Sequence, residues 1–367
     1  MGKFLKYPKY ALLTIFSVLN ILCVVGMIVC AYSAYISPAS HPKFSFLGMI
    51  FPAFLIATAL FIFFWMLFKP KFMLISIIGM LLCARSIRSY CPINFFNRTA
   101  PEGSLKVVSF NIYHLEFLDN ADKVPIQEHP SVDYLLDIDA DIVCCQETGN
   151  MRRAVVRERM EKVYPYSNYE AKWKDMMAVF SKYPILTEYP IPFGSKTNMA
   201  SAYEILLAEG DTLLLLNCHL ESYKLNPEDK DEYKSIIENP EGEENKQYIR
   251  SLRSKLSKAD AIRAAQADKL VEFIENCHHK KIILCGDFNS SPISYVHHRL
   301  TQVLNDAYTR SGNGPGISYY RNGFYFRIDH ILCSPNFTAY GAKVDSNSKS
   351  SDHHPIYCWL KDKDKKQ

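Results

Sequence analysis

The sequence predicts an α/β sandwich preceded by an N-terminal transmembrane helical region. Three observations lead there. The first 100 residues carry nine Lys or Arg and no Asp or Glu, and most of them fall in long uncharged runs. From Leu105 the texture changes to short apolar strands separated by helices and turns. Some neighbouring strands are joined by short turns, which suits packed mixed sheets better than one parallel sheet.

Residues 10–35 hold no charged side chain and are long enough to cross a hydrocarbon core of about 30 Å as a helix. Residues 44–68, ending in FIFFWMLF, form a second such run. The third, 72–84, is shorter; at about 1.5 Å per residue it reaches only about 20 Å. It crosses if Lys71 and Arg85 snorkel to opposite interfaces, with Tyr90 in the aromatic belt. The other reading is a re-entrant or interfacial segment. A cleaved signal peptide is disfavoured, because the first run is long, lacks a small-residue cleavage site and is followed by further apolar runs. Region 1–90 is thus expected to be transmembrane with two to three helices, and 91–104 (CPINFFNRTAPEGS) to be a linker.

Charge distribution bears on orientation. Lys3, Lys6 and Lys9 precede the first run and Lys69 and Lys71 separate the second from the third, against Lys43 alone between the first and second. The positive-inside rule then puts the N-terminus in the cytoplasm. Three crossings place the following domain outward, and two place it in the cytoplasm. Arg85, Arg88, Arg98 and the seven cysteines from Cys144 onward lean toward the cytoplasm; the outward arrangement is the expected one. No C-x-x-C occurs, and the cysteines in or beside strands read as small hydrophobes rather than a disulfide framework or zinc site.

In 105–362, LKVVSF (105–110), DIVCCQ (141–146), MMAVFS (176–181), AYEILLA (202–208), TLLLLNCHL (212–220), KIILCGD (281–287), FRIDHIL (326–332) and HPIYCWL (354–360) read as strands. Residues 152–163 read as a helix. So do 257–277, where Ala261, Ala264, Ala265, Leu270, Phe273 and Ile274 fit a 3.6-residue period. Residues 221–256, rich in Lys, Glu, Asp and Asn with NPEGEEN (239–245) as a break, read as an inserted charged segment: a solvated helical excursion between a strand and the long helix, serving as a mobile decorated loop or a substrate-recognition element.

Polar residues gather where the apolar strands stop. In CGDFNSSP (285–292), Asp287 and Asn289 are two apart and can face one ligand, while Gly286 lets substrate or neighbouring backbone approach closely. An ordinary strand-to-turn transition would also use these residues. In SSDHHP, Asp352 and His353 could be a turn, or a metal ligand and a general base. Asp329, in a strand suited to burial, needs a partner; Arg327 is one candidate and a His elsewhere another. His219 ends a leucine-rich strand, Glu147 follows DIVCCQ and Asn111 ends the first strand. Six strand ends bearing Asn, Glu, His, Asp-x-Asn, Asp and Asp-His would be an odd scatter for a structural protein. Their predominantly oxygen donors suit Mg²⁺ or Mn²⁺ better than zinc.

Taken in order, SFN (109–111), QE (146–147), SKYP (181–184), HLES (219–222), GDFN (286–289), RIDHI (327–331) and SDHHP (351–355) resemble the motif set of the endonuclease/exonuclease/phosphatase superfamily. That superfamily includes pancreatic-type DNases, abasic-site endonucleases, neutral sphingomyelinases and inositol-polyphosphate 5-phosphatases. The resemblance covers about 105–360; GDFN with a terminal SDH is specific in combination, although each tetrapeptide alone is weak. Departures are HLES, where a Gln often follows the Leu, and His330 and His354, at positions often aromatic. The apolar runs and RAAQ (263–266) are similar to a membrane-bound bacterial branch. The resemblance implies a DNase-like four-layer α/β sandwich in 105–362, with its site at one edge of two packed sheets. It implies that Glu147, aided by Asn111 and Asp352, binds the metal, and that His353 with Asp329 is the acid/base group or a phosphate anchor. Asp287 would orient or deprotonate water, and Asn289 and His219 would hold the non-bridging oxygens.

The expected activity is Mg²⁺-dependent hydrolysis (Mn²⁺ as alternative) of a phosphodiester or phosphomonoester, on a lipid headgroup or small ester. The expected site is a bacterial inner membrane with the catalytic part in the periplasm. Substrate phosphate ester and membrane lipids are the implied partners, with nucleic acid not favoured; the sequence does not specify protein partners. A membrane-anchored nuclease is the alternative, less favoured because 101–367 holds 33 basic against 38 acidic residues. An inactive receptor or scaffold is a second alternative. A transporter would need intramembrane acids, and a P-loop enzyme would need G-x-x-x-x-G-K-[ST]; neither is present in the sequence.

Overall fold

The computed structural model describes residues 6–364 apart from 96–98, 118–122, 173–174, 196–197, 208–209, 225–242 and 322. In chain order the strands are β1 (Leu105–Asn111), β2 (Ile142–Gln146), β3 (Tyr166–Lys172), β4 (Asp175–Ser181), β5 (Ile185–Ile191) and β6 (Met199–Leu206). They continue with β7 (Thr212–His219), β8 (Ile282–Asp287), β9 (Asn305–Asp306), β10 (Asp329–Cys333), β11 (Phe337–Val344) and β12 (Ile356–Asp362). They form two six-stranded mixed sheets, ordered β11-β12-β1-β2-β4-β3 and β5-β6-β7-β8-β10-β9.

Alternation along each strand decides what it faces. In β1, Leu105 and Val107 join Ile142 and Cys144 of β2, Leu213 and Leu215 of β7, and Ile283 and Cys285 of β8 in the core between the sheets. The opposite residues of the first sheet, Val108, Phe110, Val143 and Cys145, pack on Val132 and Leu135 of helix Pro130–Asp137 and Val156 and Met160 of helix Ala154–Glu161. Those of the second sheet, Leu214, Leu216 and Leu284, pack on Ala267, Leu270, Val271 and Ile274 of helix Glu243–Asn276 and on Val296 and Leu300 of helix Tyr295–Leu300. The layers are therefore helix, sheet, sheet, helix, which is the four-layer sandwich expected.

The eight strands expected from sequence correspond to β1, β2, β4, β6, β7, β8, β10 and β12. The remaining four, β3, β5, β9 and β11, have no counterpart among the strands the sequence predicts, and each lies at a sheet edge. An edge strand packs fewer apolar neighbours and carries polar residues or Pro that discourage further pairing. YSNYEAK of β3 and ILTEYPI of β5 have that character. The long helix begins at Glu243, ahead of the expected 257, and so takes up the second part of the charged insertion. Residues 225–242 of that insertion lie outside the described residues.

At the N-terminus are α1 (Lys6–Ser33) and α2 (Leu47–Phe68), and two stretches, Ala11–Ser33 within α1 and Pro42–Phe68, which runs through a short turn of helix into α2, are long and apolar enough to cross a membrane. The third run breaks at Cys83 into α3 (Met73–Leu82) and α4 (Ala84–Tyr90); the helical pieces on either side, Pro70–Leu82 and Ala84–Tyr90, are bent by 68°. α3 lies against α1, with Ser76 Oγ donating to Asn20 Oδ1 at 2.8 Å and Gly79 against Val24. This bundle packs onto the sandwich through Ile293, which shares a buried cluster with Met27, Cys30, Ala31, Phe51 and Cys83. Gly48 makes the approach possible: a Cβ there would stand 1.7 Å from the Ile293 carbonyl oxygen.

Candidate active site

The residue rows that face the other sheet change character at one end. Beyond Leu105 and Val107, the same face of β1 carries Ser109 and Asn111. Gln146 continues the row of β2, Asn217 and His219 that of β7, and Asp287 that of β8, while Asp329 opens the row of β10. Pairing aligns them: Asn111 is opposite Gln146, and Asp287 is opposite both His219 and Asp329. Just below, Gln146 Nε2 donates to Asn217 Oδ1 at 2.7 Å across the two sheets, and Asn217 Nδ2 donates to the Cys145 carbonyl at 3.2 Å. This polar tie holds the two sheet ends at fixed separation. Gly286 has φ +151°, and a Cβ there would lie 2.0 Å from the Cys218 carbonyl oxygen. The neighbour that Gly286 admits is thus the backbone of β7, which brings His219 beside Asp287.

Asp287 is the hub. Its Oδ2 accepts from Asn111 Nδ2 at 3.2 Å and lies 3.8 Å from His219 Nε2 and 3.7 Å from His353 Nε2. Its Oδ1 accepts from the Asn289 backbone N–H at 2.8 Å. The Asn111 amide also donates to Glu147 Oε1 at 3.2 Å, and His219 Nε2 lies 3.9 Å from that oxygen. His353 Nδ1 donates to Asp329 Oδ2 at 2.8 Å, which fixes the ring and leaves Nε2 directed at Asp287. The partner of Asp329 is therefore a His; Arg327 instead donates to the carbonyls of Pro315, at 3.0 Å, and Ser89, beside Asp306 and the Tyr308 ring. Asn289 Nδ2 donates to the Leu220 carbonyl at 3.0 Å, leaving a second amide hydrogen. Asp352 lines the same pocket, of about 240 Å³, with Glu147, His219, Asp287, Asn289 and His353. All eight residues singled out in the sequence thus fall at one end of the sandwich.

Four carboxylates, Glu147, Asp287, Asp329 and Asp352, crowd this end. Burial, then Asp329, raises the Asp287 carboxyl above its usual range, against the pull of His353 and His219. Burial also raises Asp352, helped by the charges of Glu147 and Asp287 and opposed by His353. Burial pulls the His353 imidazole down, but Asp329, Asp287 and Asp352 outweigh it and hold it well above its ordinary value. The Asp329 Oδ1 atom is buried with no hydrogen-bond partner among the described residues. Hard oxygen donors in mutual repulsion are what a divalent cation relieves, so the residues present fit one.

Several residues at the site carried no legible signal. His114 Nε2 lies 3.5 Å from Glu147 Oε2, and Tyr319 sets its ring 5.1 Å from that of His353. Tyr223, Lys224, Phe324, Phe326 and Ile328 wall the pocket, as does Met49 of α2. The RAAQ segment has a visible purpose. Arg263 Nη1 donates to the Glu221 carbonyl at 2.6 Å and Gln266 Oε1 accepts from the Glu221 N–H at 2.9 Å. The Arg263 guanidinium also lies 4.1 Å from the centre of the Tyr223 ring. These contacts pin the HLES segment, and with it Tyr223, to the long helix.

Residues 108–353 match the model of the endonuclease/exonuclease/phosphatase family, and 13–90 match a domain of unknown function, DUF8431. No curated protein matches the chain in sequence. Among solved structures, the human Nocturnin catalytic domain with bound sulfate is similar at 18% identity and a TM-score of 0.53, over 71% of this chain and 94% of that one. D. rerio TDP2 complexed with a single-strand DNA product is similar at 18% identity and 0.50, over 71% and 100%. An endonuclease/exonuclease/phosphatase from Beutenbergia cavernae is similar at 15% and 0.50, over 71% and 72%.

Proposed function

The chain belongs to the endonuclease/exonuclease/phosphatase family, and on that premise we propose that it is a membrane-anchored, Mg²⁺-dependent phosphoesterase acting on a lipid headgroup or small phosphate ester. The observation that carries this reading is the convergence on Asp287 Oδ2 of Asn111, His219 and His353, with His353 held by Asp329. Glu147, Asn111 and Asp352 would hold the cation. When bound, the cation polarises the phosphoryl group and helps the leaving oxygen. Asp287 orients or deprotonates the attacking water for in-line displacement. His353, its Nδ1 committed to Asp329, offers Nε2 to the phosphate or to the proton in transit. His219 and the second Asn289 amide hydrogen hold the non-bridging oxygens, where negative charge builds.

Two observations support a small or lipid ester over duplex DNA. The chain from 101 onward is net acidic, whereas non-specific duplex binding draws on clustered Lys and Arg. The pocket is walled closely by Tyr223, Tyr319, Phe324 and Phe326. The test compares kcat/KM of the full-length protein, in detergent or liposomes at matched Mg²⁺, on phosphodiester lipids, sugar phosphates and supercoiled or linear duplex DNA. Higher efficiency on a lipid or small ester is expected; efficient DNA nicking with no ester hydrolysis would favour a membrane-anchored nuclease.

For orientation we propose three crossings, with the sandwich on the periplasmic side of a bacterial inner membrane. The connection between α1 and α2 touches the sandwich: Ser45 Oγ meets Ser257 Oγ at 3.2 Å, and the Tyr35 ring meets His298 at 4.1 Å. If both helices cross, this connection and the sandwich share one side, opposite the start of α1. The contacts of α3 with Asn20 and Val24 of α1 support a return crossing alongside α1. With Lys3, Lys6, Lys9, Lys69 and Lys71 inside, the sandwich lies outside. A periplasm-active reporter fused after Gln367 should then be active; a silent one, with a cytoplasmic reporter active there, would reverse the orientation.

A further inference from the structure

The membrane bundle does more at the site than hold it near a bilayer. Met49, in the first turn of α2, stands in the pocket wall with Glu147, Asp287, Asn289 and His353. It is fixed there from two sides. Its backbone neighbour Gly48 is in close contact with the Ile293 carbonyl, and its Sδ lies 3.8 Å from the Tyr223 hydroxyl, which in turn donates to Asp260 at 3.2 Å. Arg253 over the Phe46 ring, at 5.4 Å, adds a third tie one turn earlier. The helix that enters the apolar bundle and the pocket wall are therefore one continuous rigid piece.

The face of α2 that Met49 occupies can be followed. Residues 7, 11, 14 and 18 positions further on return to the same side of a 3.6-residue helix. Those are Ile56, Leu60, Phe63 and Leu67, between 61% and 76% exposed, and they form the outward apolar stripe of the helix. Phe44 and Ile50, on either side of Met49 in sequence, are exposed as well. An unbroken apolar surface thus leads from the lipid-facing side of α2 to the pocket, where Phe324, Phe326 and Ile328 continue it on the sandwich side. A soluble sugar phosphate has little to place on such a surface. A phosphate ester with an acyl or alkyl chain does: the chain lies along the stripe while the phosphate reaches Asp287 and His353.

Resting on the phosphoesterase reading above, we propose that Met49 and the α2 face it heads are the substrate-selecting wall of the active site, and that the substrate is a bilayer lipid phosphate ester admitted along that face.

The test uses the full-length protein in phosphatidylcholine nanodiscs with Mg²⁺ and two chromogenic diesters, ethyl 4-nitrophenyl phosphate and hexadecyl 4-nitrophenyl phosphate. The scissile bond and leaving group are the same in both. The hexadecyl ester partitions into the bilayer whatever Met49 does, so the readout is the change in the hexadecyl-to-ethyl ratio of kcat/KM between variants. Met49→Ala and Met49→Gln are expected to lower that ratio about 10-fold, with Met49→Leu keeping it. An unchanged ratio in both Ala and Gln variants, with the ethyl ester still hydrolysed, overturns the inference and leaves the phosphoesterase reading standing. Failure of the wild-type protein to hydrolyse either diester overturns the inference, and failure on 4-nitrophenyl phosphate as well overturns the phosphoesterase reading too. Should Met49→Ala lose all activity through misfolding, Phe324→Ala, in the sandwich part of the pocket wall, is expected to lower the same ratio, and no change there overturns the inference.

Discussion

Replacing His353, Asp287 or His219 by Ala should each lower kcat by at least about 10²-fold, the scale of one acid/base or oxyanion contact. The expectation rests on the shared atom: Asp287 Oδ2 lies within 4 Å of both imidazole Nε2 atoms and accepts the Asn111 amide, so each of the three removes a group that faces the same reacting centre. The fold should survive. Asp287 is a buried carboxyl raised by burial and by Asp329, so its ionisation costs more in the folded chain than in the unfolded one. That cost is present at neutral pH and vanishes as the group protonates on acidification; Asp287→Ala removes it. Thermal unfolding of that variant in detergent should therefore be unchanged or shifted upward, while turnover collapses. For His353→Ala the sign differs, since the carboxylates that hold its imidazole charged lose their partner. Its unfolding temperature should fall. Near-normal turnover in any of the three variants would remove that residue from the mechanism.

What the sequence made legible follows from where free energy of burial is largest. The inner strands β1, β2, β7 and β8 are buried on both faces, so they read as continuous apolar runs, and the polar residues that end them stand out. Asn111, Glu147, His219 and Asp287 all become visible that way, and Asp329 stands out as a charge at the start of the apolar β10. The edge strands β3 and β11 have one unpaired side and mixed polarity, so periodicity alone marks them poorly. The same limit applies to the pocket walls. Tyr319, Phe324 and Phe326 look like ordinary loop aromatics because their significance lies in a tertiary approach, and Met49 is hidden among apolar residues whose pattern says only that they avoid water. The contribution of α2 to the pocket depends on Gly48 meeting the Ile293 carbonyl, a contact between residues 245 positions apart. RAAQ is an intermediate case, recognisable by resemblance but explained only by its grip on Glu221 and Tyr223.

Activity should be lost in excess chelator and return with Mg²⁺ or Mn²⁺, and Glu147→Gln should raise the cation concentration needed for half-maximal rate at least about 10-fold. Glu147 follows β2 in a left-handed conformation, φ +52°, which costs a non-glycine residue roughly 1 kcal/mol and is kept only where surroundings impose it. Here they do: the Glu147 carbonyl accepts from the His114 N–H at 2.7 Å, and the Thr148 N–H donates to the Met176 carbonyl at 2.9 Å. That backbone turn aims the carboxylate at Asn111 and, through Oε2, toward His114. Asp352, raised by burial and by the charges of Glu147 and Asp287 against the pull of His353, is relieved by a cation among them. Binding should therefore show apart from turnover. Mn²⁺ titration followed by electron paramagnetic resonance should give a site weakened in Glu147→Gln and in Asp352→Asn, and Mg²⁺ should raise the unfolding temperature of the wild-type protein more than that of either variant. Gln keeps the size and the hydrogen bond to Asn111 while removing the charge, so a loss seen with Gln separates metal binding from positioning. Full turnover in excess chelator would sink the assignment, and so would equal Mn²⁺ affinity in wild type and both variants.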